Sequence, residues 1–254
     1  MAIYHISLRM GAATSSPRVY RLPFGLYAKY SFEITVVEEL ATQYVSLNTT
    51  IPTSTVLDVC KDSGGIFFLM TKVPGRSFSA DGVTLHSLSD EQVFVFSETL
   101  RGWFAQLKVL SSPPDGRVSG FMGTSRCARV DLFGHIHPFD SMDDFRAQFF
   151  CTIPPTSDPD MQSLAIRTRA KNYRLCFSHC DIGSQNILVD DNYRPVGLID
   201  WDSAAWMPEY WEFTAAIHRW LIYKPWVEVF KRIFRQYEDE LALEIELWKT
   251  VSPY

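Results

Sequence analysis

The chain has 254 residues, enough for one large domain or for two lobes with a sizeable core. Hydrophobic residues make up 46% of it and charged residues 21%, which is ordinary for a soluble globular protein. The net charge of −5 and the isoelectric point near 5.7 argue against nucleic-acid binding, which usually needs a basic surface. No apolar run approaches the length of a membrane span, so we expect no membrane association.

The cysteines indicate a reducing compartment. There are five of them, an odd number, at irregular spacing and without a Cys-x-x-Cys pair. The N-terminus lacks the basic and apolar segments of a signal peptide. We therefore expect a cytoplasmic protein with reduced thiols, whereas the oligomeric state cannot be inferred from these patterns.

The first part of the chain is predicted to contain strands and one helix. The strands are apolar runs bounded by turn residues, at Ile3–Arg9, Arg18–Leu22, Leu26–Tyr30 and Ile66–Met70. The helix is predicted from apolar residues at helical spacing, namely Val37, Leu40, Tyr44 and Leu47. The segment Thr71–Gly75 reads as a linker, because Pro74-Gly75 interrupts regular structure.

The rest of the chain is predicted to be mainly helical. Ser89 and Gln92 have the spacing of a capping box. The apolar face of the helix that follows consists of Val93, Phe96, Leu100, Trp103 and Leu107. After an irregular segment, Ser141 and Asp144 mark a second helix start. Two later helices are predicted at about Trp211–Trp220 and Val227–Trp248.

This order of elements predicts an α+β fold with two lobes. Strands and one helix would form a small β-rich lobe at residues 1–72, which precedes the Pro-Gly break. Residues 73–254 would form a larger, mainly helical lobe with a β-hairpin inside it.

The most specific pattern lies in the second lobe. It consists of His179-Cys180-Asp181, followed by Asn186 and, after two apolar runs, by Asp200. Asp181 can accept a proton from a substrate hydroxyl, and Asn186 and Asp200 offer hard oxygen ligands to Mg²⁺. A loop aspartate can also serve only as a turn residue, but that reading accounts for Asp181 without accounting for the other two.

At these residues the chain resembles the aminoglycoside phosphotransferase and choline kinase family, and within it a branch of fungal phosphotransferase-domain proteins. The resemblance runs from about Val19 to about Trp220. It is carried by His-x-Asp-x-x-x-x-Asn and Ile-Asp-Trp together with Pro74-Gly75-Arg76, Leu132-Phe133-Gly134, Pro138-Phe139-Asp140-Ser141, Asn186-Ile187-Leu188-Val189-Asp190 and Pro208-Glu209-Tyr210-Trp211-Glu212. It implies a protein-kinase-like fold and an Mg²⁺-dependent transfer of the γ-phosphate of ATP, or of GTP, to a hydroxyl group of a small molecule.

The resemblance also implies roles for residues of the first lobe. Lys29 would contact the α and β phosphates and pair with a helix glutamate, for which Glu38 is the first candidate and Glu39 the second. Ser15 and Ser16 fall in the loop that would cover the phosphates. The hinge that meets the adenine would contain Met70, Lys72 and Val73. In the second lobe, His179 would brace the catalytic loop, Asp181 would be the base, and Asn186 and Asp200 would hold the metal ion.

Two alternatives stay open. The predicted phosphate loop has only one glycine, Gly11, which raises the alternative of a non-catalytic binding protein on the same fold. The tryptophans of the second lobe, at positions 201, 206, 211 and 220, could stack on a ligand, but burial in the core is the more frequent role of such residues. Compared with the family, Cys180 replaces the more usual Gly and Gly183 stands where many members have His. The phosphate acceptor cannot be read from the sequence.

Overall fold

The structure is a computed structural model, and it describes residues 12–14, 18–31, 36–62, 65–112, 115–126, 135–150, 158–218 and 220–250. The predicted strand Ile3–Arg9 and the serines Ser15 and Ser16 lie outside these residues. In the described part, no helix is both long and apolar enough to cross a lipid bilayer.

The N-terminal lobe is built on a five-stranded antiparallel sheet. Its strands lie in the order β1-β2-β3-β5-β4, and their bounds are Ala12–Ala13 (β1), Val19–Leu22 (β2), Leu26–Ser31 (β3), Val56–Asp62 (β4) and Gly65–Thr71 (β5). Between β3 and β4 the chain forms helix α1, Val37–Asn48. Lys29 lies on the central strand β3, paired with Val19 on one side and Phe68 on the other. This central position holds the lysine backbone rigidly.

A short strand pairs the connection between the lobes with the hairpin formed by residues 187–198, which is called the catalytic hairpin below because it connects the predicted Asn186 and Asp200. The chain continues from β5 through Pro74-Gly75 into β6, Arg76–Ser77, which pairs with β11, Ile187–Val189. Gly75 has φ +99°, and a Cβ atom there would lie 2.7 Å from the carbonyl oxygen of Val189. Glycine is therefore required at position 75, because any side chain there would prevent the close approach to Val189.

The C-terminal lobe packs helices around the catalytic hairpin. Its helices are α2 (Asp90–Lys108), α3 (Met142–Phe150), α4 (Pro159–Ala170), α5 (Trp211–His218), α6 (Lys224–Phe234) and α7 (Glu238–Thr250). Its further strands are β7 (Ser119–Gly120), β8 (Ser125–Arg126), β9 (His135–Ile136), β10 (Leu175–Ser178), β12 (Pro195–Leu198) and β13 (Ala205–Pro208). Two three-stranded sheets result, in the orders β10-β13-β7 and β12-β11-β6. The architecture is the predicted two-lobed α+β fold.

One apolar core joins both lobes. It contains Ala41 and Val45 of α1, Phe96 and Leu100 of α2, and Phe230 of α6, all of them fully buried. Burial of apolar surface contributes about 25 cal/mol per Å² to the free energy of folding, so this core holds α1 firmly against the C-terminal lobe. Because α1 also contacts the turn Trp201–Ser203, the core fixes the helix next to the predicted metal ligand Asp200.

The helix predictions hold best where the sequence periodicity is strong. The side chain of Ser89 caps α2 together with Gln92, as the capping box predicts. The predicted helix Val227–Trp248 is wrong as a single element, because α6 ends at Phe234 and α7 begins at Glu238. Between them Arg235 and Tyr237 have φ angles of +51° and +72°, which a continuous helix cannot include.

The tryptophans of the second lobe belong mainly to the core. Trp201, Trp206 and Trp211 are almost fully buried, and Trp220 packs against the same apolar cluster. The indole of Trp201 donates to Thr53 Oγ1 at 3.1 Å, so even its polar atom is occupied. The interpretation as core residues therefore holds over that of a stacking surface.

Candidate active site

The loop between β10 and β11 carries the His-x-Asp sequence and is fixed by His179. The ring is fully buried, and its Nδ1 accepts a hydrogen bond from the backbone N–H of Asp181 at 3.3 Å. This assigns the proton to Nε2, which donates to the carbonyl oxygen of Ile199 at 2.9 Å. The imidazole thus joins this loop to the segment that leads into Asp200.

Asn186 closes the same loop from its other end. Its Nδ2 donates to the backbone oxygen of Asp181 at 2.8 Å and to Asp181 Oδ2 at 3.2 Å. The backbone of Asn186 bonds Gly183 and Ile199, each at 3.0 Å. Since the amide nitrogen faces Asp181, the amide oxygen is the atom that Asn186 can offer to a cation.

Asp200 follows β12 and opens a short 3₁₀ turn. Its φ of +70° places it in the left-handed region, which is uncommon for a residue other than glycine. Its Oδ1 lies 2.5 Å from Lys29 Nζ, and the same ammonium lies 2.7 Å from Glu38 Oε1. The two lobes therefore meet at a lysine shared by two carboxylates, and Glu38 rather than Glu39 is its helix partner.

The shared lysine controls the charges of the cleft. Burial alone would lower the pKa of Lys29, but Glu38 and Asp200 together raise it, so the ammonium stays protonated. Burial would raise the pKa of Asp200, but Lys29 holds it below its usual range. Burial, with the charges of Asp200 and Asp202, raises the pKa of Glu38 to about 8, although Lys29 acts in the opposite direction. A single ammonium thus keeps Asp200 ionised, while the pKa of Glu38 stays raised despite the same contact.

The oxygen atoms present suit a hard cation such as Mg²⁺. Asp200 supplies a carboxylate and Asn186 an amide oxygen, and Mg²⁺ commonly takes one or two protein ligands and completes its shell with phosphates and water. Within the described residues no group of three or more His, Cys, Asp or Glu side chains has the arrangement of a self-contained metal site. Asp202 lies nearby, but burial and the charge of Asp200 raise its pKa, which disfavours its ionised form.

Glu212 was not predicted as a site residue, although it supports the loop directly. It lies on α5, is almost fully buried, and its Oε2 accepts the backbone N–H groups of His179 at 2.5 Å and Cys180 at 3.4 Å. Burial raises the pKa of this carboxyl, while the His179 contact acts against the rise. In the sequence Glu212 stood out only as the last residue of the motif Pro208-Glu209-Tyr210-Trp211-Glu212 and as a charged residue in a largely apolar helix.

Cys180, which replaces the more usual Gly, lies at a position with an uncommon backbone conformation. Cys180 has φ +65°, a conformation that costs a residue with a Cβ atom about 1–2 kcal/mol relative to the right-handed region. Glycine adopts it without that cost. The structure thus accounts for the more usual Gly at this position, and it indicates that the Glu212 contact helps hold a strained residue next to Asp181.

Some backbone groups of the predicted hinge already form hydrogen bonds or strand pairs within the N-terminal lobe. The backbone N–H of Lys72 donates to the carbonyl oxygen of Gly25 at 2.8 Å, and Met70 pairs with Tyr27 and Val56 within the sheet. Val73 is buried against the second lobe. A nucleotide base at this edge would therefore meet the backbone around Val73 or the carbonyl of Lys72, not the N–H of Lys72.

Residues 13–253 match the family model described as APH, phosphotransferase enzyme family. The chain belongs to this phosphotransferase family. Membership confirms the predicted enzyme class, a phosphotransferase, and the predicted relationship to aminoglycoside phosphotransferases; the fungal branch stays a prediction. A search of curated proteins found no match.

Solved structures of phosphotransferases resemble the chain at low sequence identity. One is a macrolide 2'-phosphotransferase type I, with 14% identity, a TM-score of 0.48, and coverage of 91% of this chain and 79% of that one. Another is macrolide 2'-phosphotransferase MphH from Brachybacterium faecium, with 14% identity, a TM-score of 0.46, and coverage of 91% and 77%. At this level of similarity their substrates say nothing about the acceptor used by this family member.

Proposed function

We propose that the protein is an Mg²⁺-dependent small-molecule kinase that transfers the γ-phosphate of ATP, with GTP as an alternative donor, to a hydroxyl group. The observation that carries this proposal is the contact between Lys29 and Asp200, 2.5 Å long, at the junction of the two lobes. It brings a phosphate-binding cation and a metal-binding carboxylate together across a long separation in sequence, beside Asn186 and Asp181.

The residues of the second lobe divide the chemistry among them. Mg²⁺, when bound, would neutralise the charge of the transferring phosphate group. Asn186 and Asp200 are its proposed ligands. Asp181 orients the acceptor hydroxyl and accepts its proton, a task that depends mainly on correct position. His179 and Glu212 hold Asp181 in place through its backbone and that of its neighbour.

The first lobe would bind the nucleotide. Lys29 can pass from Asp200 to the phosphates while it keeps Glu38 as its partner. Ser15 and Ser16, in the loop between β1 and β2, are proposed phosphate contacts, and Met70, Lys72 and Val73 are proposed to border the base. The lobe boundary is proposed at residues 72 and 73, and the protein is proposed to act in the cytoplasm on a small molecule, without nucleic-acid or membrane partners.

Nucleotide-dependent thermal unfolding tests the proposal most directly. A ligand present at about 100 times its Kd stabilises the folded state by about 2.7 kcal/mol. In a protein of this size that corresponds to a rise in Tm of about 5–11 °C. We expect this rise with Mg-ATP or Mg-GTP, a smaller one without Mg²⁺, and none in Asp200→Ala. The matched control is Asp191→Ala, because the Asp191 side chain is fully exposed on the β11–β12 hairpin turn.

Failure would favour the alternative function. If no nucleotide raises the Tm of the well-folded wild type, the protein is a non-catalytic binder on a kinase fold. If Mg²⁺ and nucleotide stabilise wild type and Asp200→Ala equally, the proposed metal site is wrong. A positive result justifies a screen of acceptors that includes aminoglycosides, choline, sugars and amino alcohols.

A further inference from the structure

A small cavity lies between α2, β10 and α5, next to the residues that hold the catalytic loop. Its polar lining consists of Lys108, Ser178, Glu209 and Glu212, and the rings of Phe104 and Phe234 form part of its apolar wall. The space open to a water molecule measures about 10 Å³. That is close to the space needed by one water, which would need the polar residues of the lining as hydrogen-bond partners.

Glu212 lines this cavity and has one carboxylate oxygen without a donor among the described residues. Its Oε2 accepts the N–H groups of His179 and Cys180, whereas its Oε1 is fully buried and makes no hydrogen bond within the described residues. A buried carboxylate oxygen without a donor is costly, so nearly all such atoms in folded proteins have a protein or water partner. Glu212 Oε1 therefore needs a hydrogen-bond donor that is not one of the described side chains in direct contact with it.

Lys108 also lines this cavity and carries an ammonium group that can supply donors. It is the last residue of α2, and its ammonium lies 3.4 Å from Tyr237 Oη, a weak contact that leaves other N–H groups available. Tyr237 in turn donates to Glu209 Oε2 at 3.0 Å, so its hydroxyl can only accept from the lysine. Burial lowers the pKa of Lys108, while Glu209 and Glu212 are among the charges that raise it again.

We propose that the cavity is a hydration site for a single structural water, which accepts a hydrogen bond from Lys108 Nζ and donates one to Glu212 Oε1. Lys108 is then a positioning residue for phosphoryl transfer. Its influence passes through the water to Glu212, from Glu212 to the N–H groups of His179 and Cys180, and so to Asp181. Only the kinetic consequence of this inference rests on the proposed function.

The test combines amide hydrogen exchange, kinetics and a crystal structure. In Lys108→Met we expect the amides of His179 and Cys180 to exchange about tenfold faster, because loss of a charged hydrogen-bond partner changes an opening equilibrium by about that factor. We expect kcat for Mg-ATP hydrolysis, in which water replaces the acceptor and free phosphate is released, to fall about tenfold while KM for ATP stays unchanged. Lys108→Arg keeps donors and should retain most of the wild-type behaviour. Lys249→Met is the control, because Lys249 makes only a surface ion pair with Glu246.

Each readout can overturn the proposal. It fails if Lys108→Met exchanges its loop amides at the wild-type rate, if KM rises while kcat stays constant, or if a high-resolution map shows an ion or no solvent peak within hydrogen-bond distance of Lys108 and Glu212. A wild type that neither turns over Mg-ATP nor is stabilised by it would instead refute the proposed function. Exchange rates and the density map would still decide whether the water site exists.

Discussion

Replacing Gly75 by alanine should test how tightly the lobe connection is held against the catalytic hairpin. Gly75 has φ +99°, and an added Cβ would lie 2.6 Å from a methyl group of Val196 and 2.7 Å from the carbonyl oxygen of Val189. The unfavourable φ costs an alanine about 1–2 kcal/mol. Contact with a backbone oxygen, which cannot rotate away, adds about 1–3 kcal/mol as in other overpacked sites.

A second glycine separates these two contributions. Gly82 has φ +67°, but a Cβ atom there meets nothing within 4 Å. Gly82→Ala should therefore lose only the conformational part, about 1–2 kcal/mol, whereas Gly75→Ala should lose about 2–5 kcal/mol in total. Urea denaturation at 25 °C measures both free energies of unfolding. Because β6 is displaced from β11 only in Gly75→Ala, only this variant should also show weaker Mg-ATP binding.

The comparison has a clear refuting result. Equal losses in the two variants would mean that the close approach of Gly75 to Val189 does not exist in solution. Loss of stability in Gly75→Ala without loss of nucleotide binding would mean that the β6–β11 pair does not position the cleft.

Three further predictions follow from the site and its supports. Asp181→Asn should reduce turnover by at least about 100-fold, since a positioned base contributes at least that much, while calorimetry finds nucleotide affinity nearly unchanged; normal turnover would exclude Asp181 as the base. Glu212→Gln should become progressively more stable relative to wild type as pH rises above about 4.5, because the pKa of Glu212 is raised in the folded state and its ionisation therefore costs stability. Urea titrations between pH 4.5 and 8 measure this difference, and a difference independent of pH would contradict the buried-carboxyl assignment. Ser89→Ala should lose about 1 kcal/mol of stability through the α2 N-cap and leave nucleotide binding intact; a combined loss of both would show that α2 is coupled to the cleft.

The sequence predicts best where local patterns decide the structure. The start of α2 follows from the Ser89–Gln92 box, and its buried face follows from apolar residues at helical spacing. Strand β4, by contrast, was missed because it is an edge strand with Leu57 and Val59 partly exposed, so it lacks a clean alternation. Helix α4 was missed for a similar reason, since only three of its residues are buried and its apolar stripe is narrow.

The candidate site was predictable in its chemistry but not in its contacts. The spacing of Asp181, Asn186 and Asp200 predicts hard ligands and a base at strand ends, and the structure brings these residues together. The choice of Glu38 over Glu39 depends on how α1 is rotated against the core, which the local sequence does not specify. The role of Glu212 depends on contacts between its side chain and backbone amides 33 and 32 residues away, which its place in a family motif does not reveal.

The position of Lys29 between two carboxylates has a consequence for how a metal ion and a nucleotide would bind in the cleft. The ammonium acts as the counter-ion of Asp200 and Glu38. On the proposed mechanism, a metal ion held by Asp200 would take over this role there, and Lys29 would turn to the phosphates with Glu38 still as its partner. Nucleotide binding would then exchange one cation for another at these carboxylates. No buried carboxylate would be left without a counter-ion, which is among the most costly arrangements in a protein interior.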